Sequence, residues 1–268
     1  MDSVFGNQVL FAFMLTFLAG ISTGIGSGIA LVARKTNTKF LCVSLGFSAG
    51  VMLYVSFMEI LPQSIIELES VWGQKKGMLY LILSLFGGMG FIALIDMLIP
   101  HASNPHEIHG VEDMTQKKKI LHRVGIMVAI SIAVHNFPEG IATFTTALGK
   151  LEIAIPIAVA IAIHNVPEGI AVAVPIYHAT GSKRKAFWFS FLSGLAEPLG
   201  ALIAYLFLMP YWSPTLNGIT LAAVAGIMIF ISLDELLPTA EKYGEHHLAV
   251  FGIVSGMAVM AVSLFLFL

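Results

Sequence analysis

One six-residue motif occurs twice in the chain, and both copies lie inside long apolar stretches. The copies read HNFPEG over 135–140 and HNVPEG over 164–169, and the second begins 29 residues after the first. An imidazole or a carboxylate within a membrane-spanning segment is costly, so its presence there indicates a functional site by default. The doubled motif therefore constrains both the fold and the function more than any other feature of the sequence.

The spacing within one copy places its polar side chains on one side of a helix. His135 and Glu139 are separated by four residues, as are His164 and Glu168, so each pair shares a helix face. Two such helices facing each other would supply two imidazoles, two carboxylates and two amides to one small volume. Nitrogen and oxygen donors of this kind suit first-row divalent metals such as Zn(II) or Fe(II). The alternative interpretation is that the histidines and glutamates only form hydrogen bonds that pack the helices together.

The composition indicates a membrane protein that crosses the bilayer several times. The chain is 57% hydrophobic and 11% charged, with a mean hydropathy of +0.88. Its 14 basic and 16 acidic residues nearly cancel, which gives a nucleic-acid partner no electrostatic basis. Cys42 is the single cysteine, which excludes an intramolecular disulfide and a thiolate metal cluster. No basic segment precedes the first apolar run, so we interpret that run as a retained helix and not as a signal peptide.

Apolar runs of about 20 residues, long enough to span a bilayer, occur eight times. They predict an all-α, polytopic protein with eight transmembrane helices in a single domain, 1–268. The fourth and fifth runs carry the twin motif, and a short connection makes them antiparallel neighbours. The predicted spans are 8–33, 40–62, 78–99, 121–148, 153–178, 186–208, 217–238 and 247–267.

The distribution of basic residues predicts the orientation in the membrane. Eleven of the 14 lie in the odd-numbered loops, and the other three lie on the opposite side. Loops rich in Lys and Arg remain cytoplasmic, so both termini are expected outside and the loop at about 100–119 inside. The eleven are Arg34, Lys35, Lys39, Lys117, Lys118, Lys119, Arg123, Lys183, Arg184, Lys185 and Lys242.

A second repeat relates the second predicted span to the seventh. AGVMLYVSFMEILP over 49–62 parallels AGIMIFISLDELLP over 225–238, with Met, Ser, Glu and Pro in register. Spans five apart run in opposite directions, so the repeat is inverted, as in many secondary transporters. Chance similarity between apolar runs is the alternative, and the shared Glu and Pro argue against it.

These residues resemble the ZIP family of zinc/iron permeases, most closely its bacterial ZupT-type members. The resemblance covers nearly the whole chain and includes Glu197 of the sixth span, within the sequence SGLAEPLG over 193–200. It implies a 3+2+3 helix bundle with an inverted pseudo-repeat and a two-metal site between the fourth, fifth and sixth spans.

The resemblance also implies which residues hold the two metals. Site M1 would use His135, Glu139, His164 and Glu168. Site M2 would use the amide positions with the carboxylates, so Glu139 and Glu168 would bridge the sites. The M2 set is Asn136, Glu139, Asn165, Glu168 and Glu197.

Further polar residues are candidates for a metal pathway. Glu59 is expected toward the outer end of the second span, and Asp234 and Glu235 toward the inner end of the seventh. Met52 lies two helical turns before Glu59 and could offer a thioether to the cation. The alternatives are interfacial carboxylates beside a terminating proline and a methionine that only packs.

Two other sequence features have competing interpretations. His101, His106 and His109 could bind metal weakly in the cytoplasmic loop, or that loop could be a polar connector without structure. Glycines crowd the first span, and Gly24 and Gly28 have the GxxxG spacing of closely packed membrane helices.

The sequence therefore predicts a divalent-cation transporter of the cell membrane that takes up zinc into the cytoplasm. The direction of transport is implied by the resemblance. Iron, manganese, cobalt and cadmium tolerate the same donors, and we expect the metal as cargo rather than as a cofactor. An intramembrane metalloenzyme, either a hydrolase or a di-iron protein, is the alternative. Within transport, a carrier and a selective channel both remain open, and a homodimer is reasonable but not required.

Overall fold

The computed structural model describes residues 2–32, 38–98, 118–149 and 151–266, and those ranges contain no strand. The prediction of an all-α protein is confirmed. The helices are α1 (Asp2–Val32), α2 (Thr38–Val55), α3 (Leu61–Leu98), α4 (Lys118–Gly149), α5 (Leu151–Thr180), α6 (Lys183–Gly194), α7 (Ala196–Ile203), α8 (Pro214–Ile231), α9 (Leu237–Tyr243) and α10 (His246–Leu266).

Six helical segments of the described residues are long and apolar enough to cross a membrane. One of them, Thr38–Met97, is 60 residues long and contains Gly73 with a φ of 70°. Gly77 contacts the backbone of Glu69, so the chain turns back on itself at this left-handed glycine. Helix α4 is not among the six. The protein is thus a multi-pass membrane protein, while eight spans remain a prediction.

Proline explains three short π-helical turns in the described chain. These turns are Ser56–Ile60, Ala204–Leu208 and Ser232–Leu236, and a proline follows two residues after the end of each. A proline lacks an N–H and crowds the carbonyl four residues before it. The backbone widens to the i→i+5 pattern instead, with Leu61 N–H donating to Ser56 O and Leu237 N–H donating to Ser232 O. The two copies of the second repeat therefore carry the same local distortion.

Glycines place the repeated helices against their neighbours in matching ways. A Cβ added to Gly50 of α2 would lie 2.1 Å from Ile253 O of α10, and one added to Gly226 of α8 would lie 2.1 Å from Leu85 O of α3. These two glycines occupy the same position in the two copies of the repeat. Only glycine allows two membrane helices to approach so closely.

Other glycines pack the motif helices against α1 and α7. A Cβ on Gly26 would lie 1.9 Å from Val166 O of α5, and one on Gly200 would lie 2.1 Å from Phe137 O of α4. The expectation for the first span is only partly right, however. Gly24 contacts the Phe191 ring, whereas a Cβ on Gly28 would meet nothing within 4 Å. Gly28 therefore faces an open groove and not a helix.

We predict that Gly50→Ala and Gly226→Ala each destabilise the protein by about 1–3 kcal/mol, the usual cost of overpacking. Gly90→Ala is the matched control, because Gly90 is exposed on α3 and a Cβ there meets nothing within 4 Å. Thermal unfolding in detergent would measure the difference. Equal melting temperatures for all three variants would contradict the tight contacts.

Candidate metal-binding site

The two motif helices bring all the polar side chains of the twin motif into the interior of the protein. Helices α4 and α5 pack against each other, and the third carboxylate comes from α7. Each of the seven residues is at most 2% exposed to solvent. They are His135, Asn136, Glu139, His164, Asn165, Glu168 and Glu197.

Each imidazole pairs with the carboxylate of the opposite helix. His164 Nε2 lies 3.2 Å from Glu139 Oε1, and His135 Nε2 lies 3.3 Å from Glu168 Oε2. The four-residue spacing places His and Glu of one motif on the same face, but the structure records no hydrogen bond between them in either motif. The pairing is reciprocal, so the two motifs form one connected cluster.

The amides connect this cluster to the surrounding helices. Asn165 Nδ2 donates to Glu197 Oε1 and to Ala19 O of α1, the latter at 3.1 Å. The Asn136 amide lies 3.2 Å from Glu168 Oε2, and its nitrogen donates to that carboxylate. Each amide thus contacts a carboxylate of the cluster.

Glu197 lies in the middle of the sixth predicted span, just after a one-residue break between two helices. Helix α6 ends at Gly194, Leu195 forms a turn, and α7 begins at Ala196. Pro198 has no N–H to donate to Gly194 O, which accounts for the interruption. The Glu197 carboxylate therefore lies in the first turn of a helix, where the helix dipole favours negative charge.

The buried cluster has unmet polar groups and more acids than bases. Ten buried side-chain atoms of the described residues lack a hydrogen bond of good geometry, and six of them belong to the seven predicted ligands. Each such atom costs about 1–3 kcal/mol when it stays unsatisfied. Three buried carboxylates accompany two imidazoles, so a bound cation would offset charge that is otherwise unfavourable. The six atoms are His135 Nδ1, His135 Nε2, His164 Nδ1, Asn165 Oδ1, Glu168 Oε1 and Glu197 Oε2.

The side chains are not arranged as a completed coordination sphere. Within the described ranges, no three His, Cys, Asp or Glu side chains converge on a common point in the way that a metal site requires. The carboxylates of Glu139 and Glu168 face the opposing imidazoles instead. Metal binding at this cluster would therefore require the His–Glu pairs to separate.

The structure brings one of the four pathway candidates to the cluster. Glu235 Oε2, in a π-helical turn, lies 3.7 Å from His135 Nδ1. Asp234 is exposed, and Glu59 is half-buried in the equivalent π-helical turn after α2. Met52 is fully buried on α2. One helical turn before it, the Ser48 hydroxyl lies 3.5 Å from the backbone oxygen of His164.

The loop histidines cannot be placed in this way. His101, His106 and His109 lie outside the described residues, so their role as metal ligands stays a prediction.

One repeat was not recognised in the sequence. A Cβ on Gly140 would lie 1.9 Å from Glu197 O, and one on Gly169 would lie 1.9 Å from Thr23 O. Thr23 is thus the counterpart of Glu197 on the other side of the cluster. The signal is present in the sequence, because GISTGIG over 20–26 aligns with GLAEPLG over 194–200. Isoleucine in one segment corresponds to leucine in the other, which makes the repeat hard to recognise.

An all-helical, apolar protein with a buried His, Glu and Asn cluster belongs to the class of membrane proteins that handle ions within the bilayer. The comparison with known proteins is more specific. The profile described as ZIP Zinc transporter matches residues 97–264. The chain belongs to the ZIP family, as its motifs predicted.

Three relatives show the extent of the similarity, and each is called a zinc transporter ZupT. The protein of Streptococcus mutans is 60% identical over 263 residues, covering 98% of this chain and 100% of the relative. That of Clostridium perfringens is 56% identical over 278 residues, 98% of each chain. That of Chlorobium luteolum is 60% identical over 258 residues, 95% of this chain and 97% of the relative. Membership of this transporter family confirms the prediction that the chain is not an enzyme.

We predict that Glu139→Ala destabilises the metal-free protein by about 1–3 kcal/mol, because it leaves buried His164 without its partner. Glu139→Gln retains an oxygen acceptor and should cost clearly less. Thermal unfolding in detergent with a chelator measures both variants. Identical losses for Ala and Gln would contradict a stabilising role for the cross-helix pair.

Proposed function

We propose that the protein takes up Zn²⁺ into the cytoplasm through a binuclear site formed by α4, α5 and α7. One observation carries the proposal: six unsatisfied polar atoms and three carboxylates are buried together on the predicted ligand residues. The name zinc transporter, borne by relatives that match nearly the whole chain, supports zinc as the cargo. Iron and manganese are proposed as additional substrates, because the donor set suits them as well.

In this proposal the two metal positions share the bridging carboxylates. M1 uses both imidazoles with Glu139 and Glu168, and M2 adds the two amides and Glu197. The contact between Asn165 and Glu197 supports M2, since it brings an amide and the third carboxylate together. A bound cation would replace the His–Glu contacts as the partner of each side chain. Coordination requires neutral imidazole, so protons compete with the metal for His135 and His164.

The proposed architecture is one domain of eight spans, arranged 3+2+3 with an inverted repeat. Two kinds of observation support it: the matching contacts of Gly50 and Gly226, and the matching π-helical turns at Ser56–Ile60 and Ser232–Leu236. The reversal of the chain at Gly73 supports a division of the Thr38–Met97 segment into two spans. The distribution of Lys and Arg supports outside termini in a cell membrane.

The path of the ion follows from this architecture. The ion would pass Glu59 on the outer side, lose water, bind the buried cluster, and leave past Glu235 and Asp234 toward the cytoplasm. The 3.7 Å approach of Glu235 to His135 supports the inner half of this path, because it connects the cluster to a carboxylate nearer the surface. Burial of the cluster on all sides supports a carrier, since a channel would keep it continuously open to water.

We predict that the protein reconstituted in liposomes takes up zinc-65 and that His164→Ala and Glu168→Ala each reduce uptake by at least about tenfold. The reason is that loss of one metal contact worth about 1.4 kcal/mol changes binding tenfold. Iron-55, supplied under reducing conditions, measures the second substrate in parallel.

The matched control for this experiment is Gly90→Ala, which changes an exposed position of α3, a helix that packs mainly against α8 and contains no predicted ligand. Normal uptake by that control, with loss in both site variants, supports the assignment. A wild-type protein that binds zinc stoichiometrically yet moves none under any gradient would refute transport.

The amides provide a separate test of the two positions. We predict that Asn136→Ala and Asn165→Ala reduce iron uptake more than zinc uptake, because an amide and carboxylate site suits harder ions while the imidazole-rich site favours zinc. The ratio of iron-55 to zinc-65 entry measures this effect. Equal loss of both isotopes would contradict separate preferences for M1 and M2.

A further inference from the structure

A long apolar groove lies between α1 and α6, and none of its lining residues is a predicted metal ligand. It has a volume of about 800 Å³, within the range of ligand sites, and its lining runs from Ile21 to Val32 on α1 and includes Phe187 and Phe191 on α6. Gly28 leaves part of the groove unfilled, since a Cβ at this position would meet nothing within 4 Å. The groove is thus an open apolar depression between the two helices and not an enclosed cavity.

The two helices that form the groove are antiparallel. Gly20 contacts Gly194, and Gly24 contacts Phe191, so the end of α1 at Val32 lies beside the beginning of α6. From Ile21 to Val32 the groove covers 12 residues of helix, and the 11 steps between them span about 16 Å at 1.5 Å per residue. That length is about half of a hydrocarbon core of roughly 30 Å, which is the depth of one lipid leaflet.

Three cations lie at the Val32 end of this groove. Lys183, Arg184 and Lys185 form the first turn of α6 and are all exposed. None of them forms an ion pair with another residue in the described part of the chain. The positive end of the α6 dipole adds to their field. Basic residues above a gap between membrane helices, on the side that the Lys and Arg distribution predicts to be cytoplasmic, match the chemistry of anionic headgroups.

We propose that the α1–α6 groove binds one acyl chain of an anionic phospholipid whose phosphate is held by Lys183, Arg184 and Lys185. Charge complementarity selects the anionic lipid, and the length of the groove matches a chain in one leaflet. The proposal is independent of metal transport, because neither the groove nor the cations include a predicted metal ligand. In the alternative interpretation, the basic first turn of α6 only sets the orientation of the protein in the membrane, and lipids of any charge cover the groove.

Trp188 provides a local reporter for the test. It is 46% exposed, and its ring lies 5.6 Å from Phe191 and 5.8 Å from Phe187, the two rings of the groove. The other two tryptophans, Trp72 and Trp212, would be replaced by Phe to leave a single fluorophore. The metal-free protein is then placed in phosphatidylcholine vesicles that contain a small fraction of brominated phosphatidylglycerol or brominated phosphatidylcholine.

We predict that brominated phosphatidylglycerol quenches Trp188 at a mole fraction about tenfold lower than brominated phosphatidylcholine, since each cation near a membrane surface contributes measurably to anionic-lipid binding. The triple change of Lys183, Arg184 and Lys185 to Gln should abolish this preference. Gly28→Leu should weaken quenching by the anionic lipid, because the added side chain occupies the groove.

Two controls match these variants. Gly90→Leu also adds a side chain at a glycine with open space, and Lys75→Gln with Lys76→Gln removes charge from the predicted opposite side. Both should leave the preference unchanged. Equal quenching by the two lipids in the single-tryptophan protein without further changes would overturn the proposal. A preference for the anionic lipid that survives the triple Gln change would overturn it as well. Displacement of the anionic lipid by millimolar inorganic phosphate would also overturn it, since a free anion would then be the ligand.

Discussion

The reciprocal pairing of each imidazole with the carboxylate of the other motif helix is the interaction on which the interior depends. Five ionisable side chains are buried together, and isolated charges at that depth would be strongly unfavourable. The 3.2 Å hydrogen bond between His164 and Glu139 replaces contacts with water, and the 3.3 Å approach of His135 to Glu168 places the second imidazole beside an opposite charge. They also fix the register of α4 against α5, because a shift of one turn would separate both pairs at once.

That register requires close backbones around the cluster. The residue after each motif glutamate is glycine, and Gly140 and Gly169 contact the carbonyls of Glu197 and Thr23. Any Cβ at either position would push a neighbouring helix away from the site. The Ser190 hydroxyl adds a polar contact between α1, α5 and α6, since it lies within hydrogen-bond distance of both Gly169 O and Thr23 O. The two motif glycines are therefore required for the close packing of the helices around the site.

The sequence predicts the six motif residues of the cluster because burial of rare polar residues at helical spacing has few explanations, whereas Glu197 is implied only by the resemblance to the ZIP family. It does not predict which imidazole meets which carboxylate, since that depends on the packing of α4 against α5. Proline shows the same limit. Pro138 is accommodated within continuous α4, Pro62 follows a π-helical turn, and Pro198 accompanies a break. The local chemistry is identical, and the surrounding helices determine the outcome.

The repeat around the cluster is close to symmetric, and its main departure from symmetry concerns charge. The matching glycines of α1 and α7 pack in the same way, but the residue at the centre is Thr23 on one side and Glu197 on the other. The third carboxylate therefore lies on one side of the histidine and glutamate pairs, beside Asn165. Thr23 packs instead against Gly194, and its buried hydroxyl has no hydrogen-bond partner among the described residues. The third carboxylate thus lies on the α7 side of the cluster, although the glycine contacts of the backbone are alike on both sides.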